Sequence, residues 1–181
     1  DREARQIHKA LNALLPSSVA VRRVEEAHAD FHARYDARYK MYEYRIWNDP
    51  VHSPLEAVRA YHVPYPLDVK KMRRGAGLLR GRHDFRSFSG SQGLNGKGKG
   101  KNTVRTIRRF QVLNRGSLLI FRIEADGFLN HMVRNLIGTL IEMGRGRLDG
   151  QELKRIIKQK DRRAAGPSVP ARGLTLISVT Y

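Results

Sequence analysis

The stretch Phe128-Leu129-Asn130-His131-Met132-Val133-Arg134-Asn135-Leu136-Ile137-Gly138 constrains this chain more than any other. It sets an arginine, a histidine and two asparagines among apolar neighbours. Met132, Val133, Leu136, Ile137, Leu140 and Ile141 recur at helical spacing, which predicts a helix from Asn130 onward with a wide buried face. Arg134 falls at the edge of that stripe. A guanidinium does not give up its charge in a protein, so at a buried edge it needs an anion. That anion is either a carboxylate of the protein, or a phosphate or charged intermediate of a ligand. An arginine that simply snorkels from the stripe to solvent is the alternative reading.

The rest of the chain reads as alternating elements. Residues 2–14 form an amphipathic pattern stopped by Pro16, and Ser18 to His28 alternates as a strand would. Residues 38–47 alternate more clearly, with Tyr42, Tyr44 and Ile46 on one side and Met41, Glu43 and Arg45 on the other. Asn48 to Pro54 is a loop, and Tyr61 to Pro66 is expected to be irregular. Asp68 is a natural N-cap for a helix through about Arg80, ended by Gly81. Thr103 to Leu113 and Leu118 to Ala125, joined by Asn114-Arg115-Gly116-Ser117, predict an antiparallel hairpin. A basic helix from about Gln151 to Lys160 and a strand from Leu174 to Tyr181 close the chain. This order predicts an α+β fold, a sheet with helices on one side.

Charge narrows the partner. Lys and Arg number 35 against 17 Asp and Glu, giving a formal net charge of +18, and such an excess is easiest to accommodate beside a polyanion. The apolar runs are too short for a membrane span and the basic residues too dispersed for one interfacial helix. With no cysteine, disulfides are excluded. Gly93 to Lys99 approaches a phosphate-binding loop, but Gly100 stands where Ser or Thr is needed and a strand follows, so nucleotide binding is rejected. The Gly90 to Lys101 run reads instead as a solvated basic loop. His28 and His32 lack a third metal ligand, and His83-Asp84 read as fixing a loop by local hydrogen bonds. Asp30, Asp36, Asp84, Asp126 and Asp161 are all conceivable nucleophiles, and spacing singles out none. The residues alone thus indicate a basic nucleic-acid-binding α+β domain with one unusual arginine helix.

Several motifs, in order, resemble one family. Phe31-His32-Ala33-Arg34-Tyr35-Asp36-Ala37 and Tyr42-Glu43-Tyr44 resemble its FHARFDA and RxYxY segments. Gly81-Arg82-His83-Asp84-Phe85-Arg86-Ser87-Phe88 resembles GxHDFTSF, Thr103 to Ile107 resembles TVRTI, and Phe128 to Gly138 resembles FLHHMVRNIVG. Lys160-Asp161-Arg162, with Pro170 to Leu174, resembles its KDR and APAxGLYL close. The family is the TruA-type tRNA pseudouridine synthases. The resemblance implies the pseudouridine synthase fold and isomerisation of uridine to pseudouridine in the anticodon stem-loop, without cofactor or metal. It also implies tRNA as partner, an intracellular setting, no membrane, and homodimers.

The resemblance also assigns residues. Arg134 is expected to pair with a nucleophilic aspartate. Tyr42, Ile46, His131 and Asn135 are expected to hold the uridine, with Tyr42, Ile46 and Arg134 lining one cleft. Arg82, His83, Phe85, Lys97, Lys99, Lys101, Arg105, Arg108 and Arg109 are expected against RNA, the cations on phosphates. Residues 1–36 match the tail of the family's N-terminal half and 37–181 its C-terminal catalytic half. The family's nucleophile lies in a GRTDxGV segment that these residues do not contain. The expectation is therefore an enzyme half that is inactive by itself, and the alternative is a non-enzymatic RNA-binding module retaining the fold.

Overall fold

The computed structural model describes residues 2–90 and 102–181, and the chain divides into two compact units, residues 1–36 and 37–181. Most of the glycine and lysine run, with Lys97, Lys99 and Lys101, lies outside the described residues.

In the first unit, α1 (Arg2–Leu14) is the expected amphipathic helix. The strand expected over 18–28 does not form. Side chains, not a partner strand, take up its backbone groups at Val21. Asn12 accepts from the Val21 N–H and donates to its carbonyl, both at 2.8 Å, and His8 Nε2 lies 2.8 Å from the same carbonyl. The FHARYDA loop is braced by its own groups: Asp36 accepts from the His32 N–H, and His32 Nδ1 accepts from the N–H groups of Arg34 and Tyr35.

The second unit is a mixed sheet of six strands, in the order β2-β1-β5-β4-β3 with β6 also on β1. β1 (Tyr39–Asn48) is its axis. It runs antiparallel to β5 (Leu118–Ala125) on one side. On the other it meets β6 (Leu174–Thr180) along residues 39–44 and the short parallel β2 (Tyr61–Val63) along 46–48. The segment expected to be irregular therefore contributes three paired residues, because Ile46 to Asn48 would otherwise have an unpaired edge. The expected hairpin forms between β4 (Val104–Arg115) and β5, and β3 (Gly81–Asp84) pairs with β4 at the far edge. Gly116, at φ +62, supplies the left-handed turn.

Three helices cover one face. Asp68 caps α2 (Val69–Leu78) by accepting from the Lys71 N–H at 3.0 Å. Asp149 and Glu152 form a reciprocal capping box on α4 (Gly150–Gln159). The third helix, α3 (Met132–Gly144), lies in the core with Tyr44, Ile46, Val112, Phe121 and Ile123 of the sheet. All six residues of the expected stripe are buried. The burial is wider than the stripe predicts: only Arg134 and Glu142 on this helix are not buried. The reason is a strap, residues 166–170, on its second face. Gly166 N donates to Thr139 Oγ1 at 3.0 Å, and the Pro167 carbonyl lies where a Cβ on Gly138 would sit, 1.7 Å away.

Two glycines give opposite expectations. Gly138→Ala must displace the strap, because the obstructing atom is backbone, and should cost about 1–3 kcal/mol or more. Gly77→Ala, in exposed helix with nothing within 4 Å of the new methyl, should stabilise by about 0.5–1 kcal/mol. Urea unfolding of the two variants beside the wild type reads both signs.

Candidate active site

Arg134 is held by the strap. Its Nε donates to the Val169 carbonyl at 2.6 Å, and the Val169 N–H returns a bond to the Arg134 carbonyl at 3.4 Å. The two terminal nitrogens form no ion pair among the described residues. The side chain is thus half-buried and fixed in direction, with its bidentate edge unused. Snorkelling predicts no such anchor.

The strap itself hangs on β1. Tyr44, fully buried, donates its hydroxyl to the Pro170 carbonyl at 2.7 Å. Burial pushes this phenol well above its usual range, Tyr61 adds to the rise, and Arg134 and Arg172 pull it back. It therefore stays a donor at every ordinary pH. Two residues along the same strand face, Tyr42 is half-buried, edge-on to Phe128 with ring centroids 5.0 Å apart. Phe128 leads into α3 through His131, the exposed residue before the helix, which takes a left-handed φ of 57°. Tyr42 and Arg134 are accordingly on the helix-bearing side of the sheet, each fixed by a neighbour of Tyr44 or α3.

Two expected substrate contacts are corrected. Ile46 is 0% exposed and belongs to the core, so no surface remains to line a cleft. Asn135 is 1% exposed and fully engaged: its Nδ2 donates to the Phe88 carbonyl at 2.7 Å and its Oδ1 accepts from Arg162 at 3.0 Å. Arg162 also donates to the carbonyls of Ala165 and Gly166. This network ties the HDFRSF, HMVRN and KDR segments together, a role that spacing along the sequence does not disclose. Phe85, expected against RNA, is likewise 0% exposed. In β3, His83 Nε2 lies 2.9 Å from the Arg80 carbonyl, and Asp84 accepts from the Thr103 hydroxyl and the Arg86 N–H and pairs with Lys160 at 3.0 Å. Burial raises the Asp84 carboxyl, but these partners outweigh it and hold it below the usual carboxylate range.

The basic residues divide by what anchors them. A bulge between Ile107 and Arg109 lets Ile107 and Phe110 both face the core while Arg108 and Arg109 both face solvent. Arg108 lies over the Tyr39 ring at 4.0 Å and 3.8 Å from Glu124. Arg105 crosses Gly127, just before Phe128, with Nη1 on the Asn102 and Val104 carbonyls. Arg82 is exposed on the outer strand. Every aspartate of the second unit already accepts hydrogen bonds away from Arg134: Asp49 from Val51 and Ser117, Asp68 and Asp149 as caps, Asp84 as above, Asp126 from Thr106, Asp161 from Arg163. None stands beside the guanidinium as a nucleophile.

A family model described as tRNA pseudouridine synthase matches residues 76–181. The chain is 41% identical over 179 residues to a tRNA pseudouridine synthase A of Methylacidiphilum infernorum, covering 99% of this chain and 69% of the relative. It is 40% identical to those of Bordetella petrii and Geobacillus kaustophilus, covering 100% and 97% of this chain and 66% of each relative. It spans about two thirds of the length of these relatives.

On the opposite sheet face, Glu43 is 2% exposed and bonded to Arg45 and Arg122, each at 2.8 Å. Burial raises its carboxyl, but the hydrogen bonds from Arg122 and Arg45 leave it below its ordinary value of 4.5. A depressed folded value means the stabilisation is complete above the ordinary value and is lost as pH falls through the folded one. Unfolding free energy should therefore decline below about pH 4, and Glu43→Gln should flatten that decline. Urea titrations from about pH 7 to about pH 3 compare the two slopes.

Proposed function

Because the chain belongs to the tRNA pseudouridine synthase family, we propose that it isomerises uridine to pseudouridine in the anticodon stem-loop of tRNA, and that residues 37–181 form the catalytic half around the base. The observation that carries this reading is Arg134, anchored through Nε with its terminal nitrogens free of any carboxylate among the described residues. Those nitrogens receive the nucleophilic aspartate, which a segment other than the described residues of the second unit supplies. Pairing with a fixed guanidinium keeps that carboxylate ionised and aimed.

Extruding the uridine costs a few kcal/mol of stacking, offset in the pocket. Tyr42, braced by Phe128, packs on the uracil, and His131 borders the entry. The N1–C1′ bond breaks, the base turns, C5 joins C1′, and the proton lost from C5 is balanced by one gained at N1. No redox equivalent or second substrate is required, consistent with an isomerase. Arg82, Arg105, Arg108 and Arg109 contact backbone phosphates, which makes affinity fall steeply with salt. The same reading carries homodimeric assembly, which light scattering of the intact protein checks. A non-enzymatic binding module needs no anchored, carboxylate-free arginine beside a half-buried tyrosine, and it is not favoured.

In the intact gene product, Arg134→Ala should lower pseudouridine formation about a hundredfold while changing tRNA affinity little, because Arg134 acts on the aspartate and not on phosphates. Residues 1–181 alone should bind unmodified tRNA without forming pseudouridine. Scoring pseudouridine in the anticodon arm beside a binding titration tests both. Intact turnover with weakened binding in Arg134→Ala would remove the catalytic role.

A further inference from the structure

The edge of β1 is interrupted at one residue. Its ladder with β6 ends at Tyr44, opposite Leu174, and its ladder with β2 begins at Ile46, opposite Tyr61. Arg45 sits in the gap. The gap is a depression of about 380 Å³ lined by Arg45, Val58, Arg59, Arg172, Leu174 and Thr175. Three arginines thus line one notch, and no carboxylate lines it.

Each arginine is delivered by a segment with its own anchor. Arg45 is fixed through Nε on Glu43, leaving its terminal nitrogens without a partner among the described residues. Arg172 belongs to the short turn Ala171–Gly173, which Tyr44 tethers through the Pro170 carbonyl. That turn can lie against β1 only because residue 173 is glycine: a Cβ there would stand 2.7 Å from the Arg45 carbonyl and 2.9 Å from the Tyr44 ring. Arg59 precedes the buried Ala60, and the N–H groups of both donate to the Glu56 carbonyl, just before β2 begins. Among the described residues the side chains of Arg59 and Arg172 make no hydrogen bond or ion pair. Glu56, the acidic residue nearest Arg59 in sequence, makes no ion pair with it, and Glu43 is already shared between Arg45 and Arg122.

We propose that this notch is a phosphate-binding subsite in which Arg45, Arg59 and Arg172 hold one backbone phosphate of the RNA substrate. The proposal rests on the RNA-modifying reading above and adds a contact that reading does not contain. Converging cations repel one another, and a phosphate relieves that repulsion while accepting from several planar guanidiniums at once. The Thr175 hydroxyl adds a neutral donor at the rim. Arg172 follows directly on the 166–170 strap that anchors Arg134, so the notch adjoins that strap.

The test is binding of unmodified tRNA by the full chain at several salt concentrations. Arg59→Gln with Arg172→Gln should weaken binding about tenfold and lower the log–log salt slope by about 0.7–0.9, the loss of one neutralised phosphate. Arg59→Lys with Arg172→Lys should restore the slope but not the whole affinity, because an ammonium keeps the charge and loses the fork. Arg155→Gln with Lys158→Gln removes the same charge from α4 and should leave binding close to wild type. If the notch variant binds like wild type, or if the α4 variant loses as much, the subsite is overturned while the RNA reading stands. If the wild-type chain itself fails to bind tRNA, the RNA reading falls and the subsite with it. Melting curves confirm that all three variants remain folded.

Discussion

The close approach of the 166–170 strap to α3 is the contact on which the rest of the second unit depends. Gly138 and Gly166 bring two backbones into contact, with Thr139 and Gly166 joined by a hydrogen bond, so the polar side of α3 is covered instead of solvated. That cover gives Arg134 its anchor at the Val169 carbonyl and lets the buried Tyr44 bond to Pro170. Removing a backbone contact of this kind leaves buried carbonyls and N–H groups to be satisfied elsewhere, at about 1–3 kcal/mol each. One packing decision thus sets the helix, the anchored Arg134 and the final strand together.

The sheet separates two electrostatic regimes. On the helix-bearing side, inside the basic outer faces of α2 and α4, Arg134 and Arg162 are held by donors that end on backbone carbonyls and on Asn135. On the other side Glu43 is surrounded by Arg45 and Arg122, and Glu124 lies near Arg108. The chain's excess of positive charge is therefore not uniform solvated coating. It is concentrated by backbone irregularities: the bulge at residues 107–109 exposes two successive arginines, and the gap in the β1 edge gathers three. Such irregularities re-aim side chains without changing the fold.

Sequence patterning located the elements that carry their own periodicity or caps. The Asp68 cap, the 104–125 hairpin, the α3 stripe and the alternation along β1 are all local, and each appears where the spacing places it. It failed where the partner is distant. The alternation over 18–28 is not a strand because Asn12 and His8 take up the Val21 backbone groups, and Tyr61–Val63 is one because β1 leaves an edge there. Phe85, Ile46 and Asn135 were placed against substrate by their motifs, yet all three are buried and used in packing or hydrogen bonding.

By itself the sequence determined the α+β class, the strong positive charge and the one arginine set at the edge of a buried helix stripe, because periodicity, net charge and a permanent guanidinium charge are properties of the chain. Which atom holds that arginine, which motif residues face inward, and where Arg45, Arg59 and Arg172 line one depression were decided only by the tertiary structure. Those outcomes depend on contacts between residues 134 and 169 and between 44 and 170, and on residues 45, 59 and 172 lining one depression, and the separation of these residues along the chain leaves no local trace.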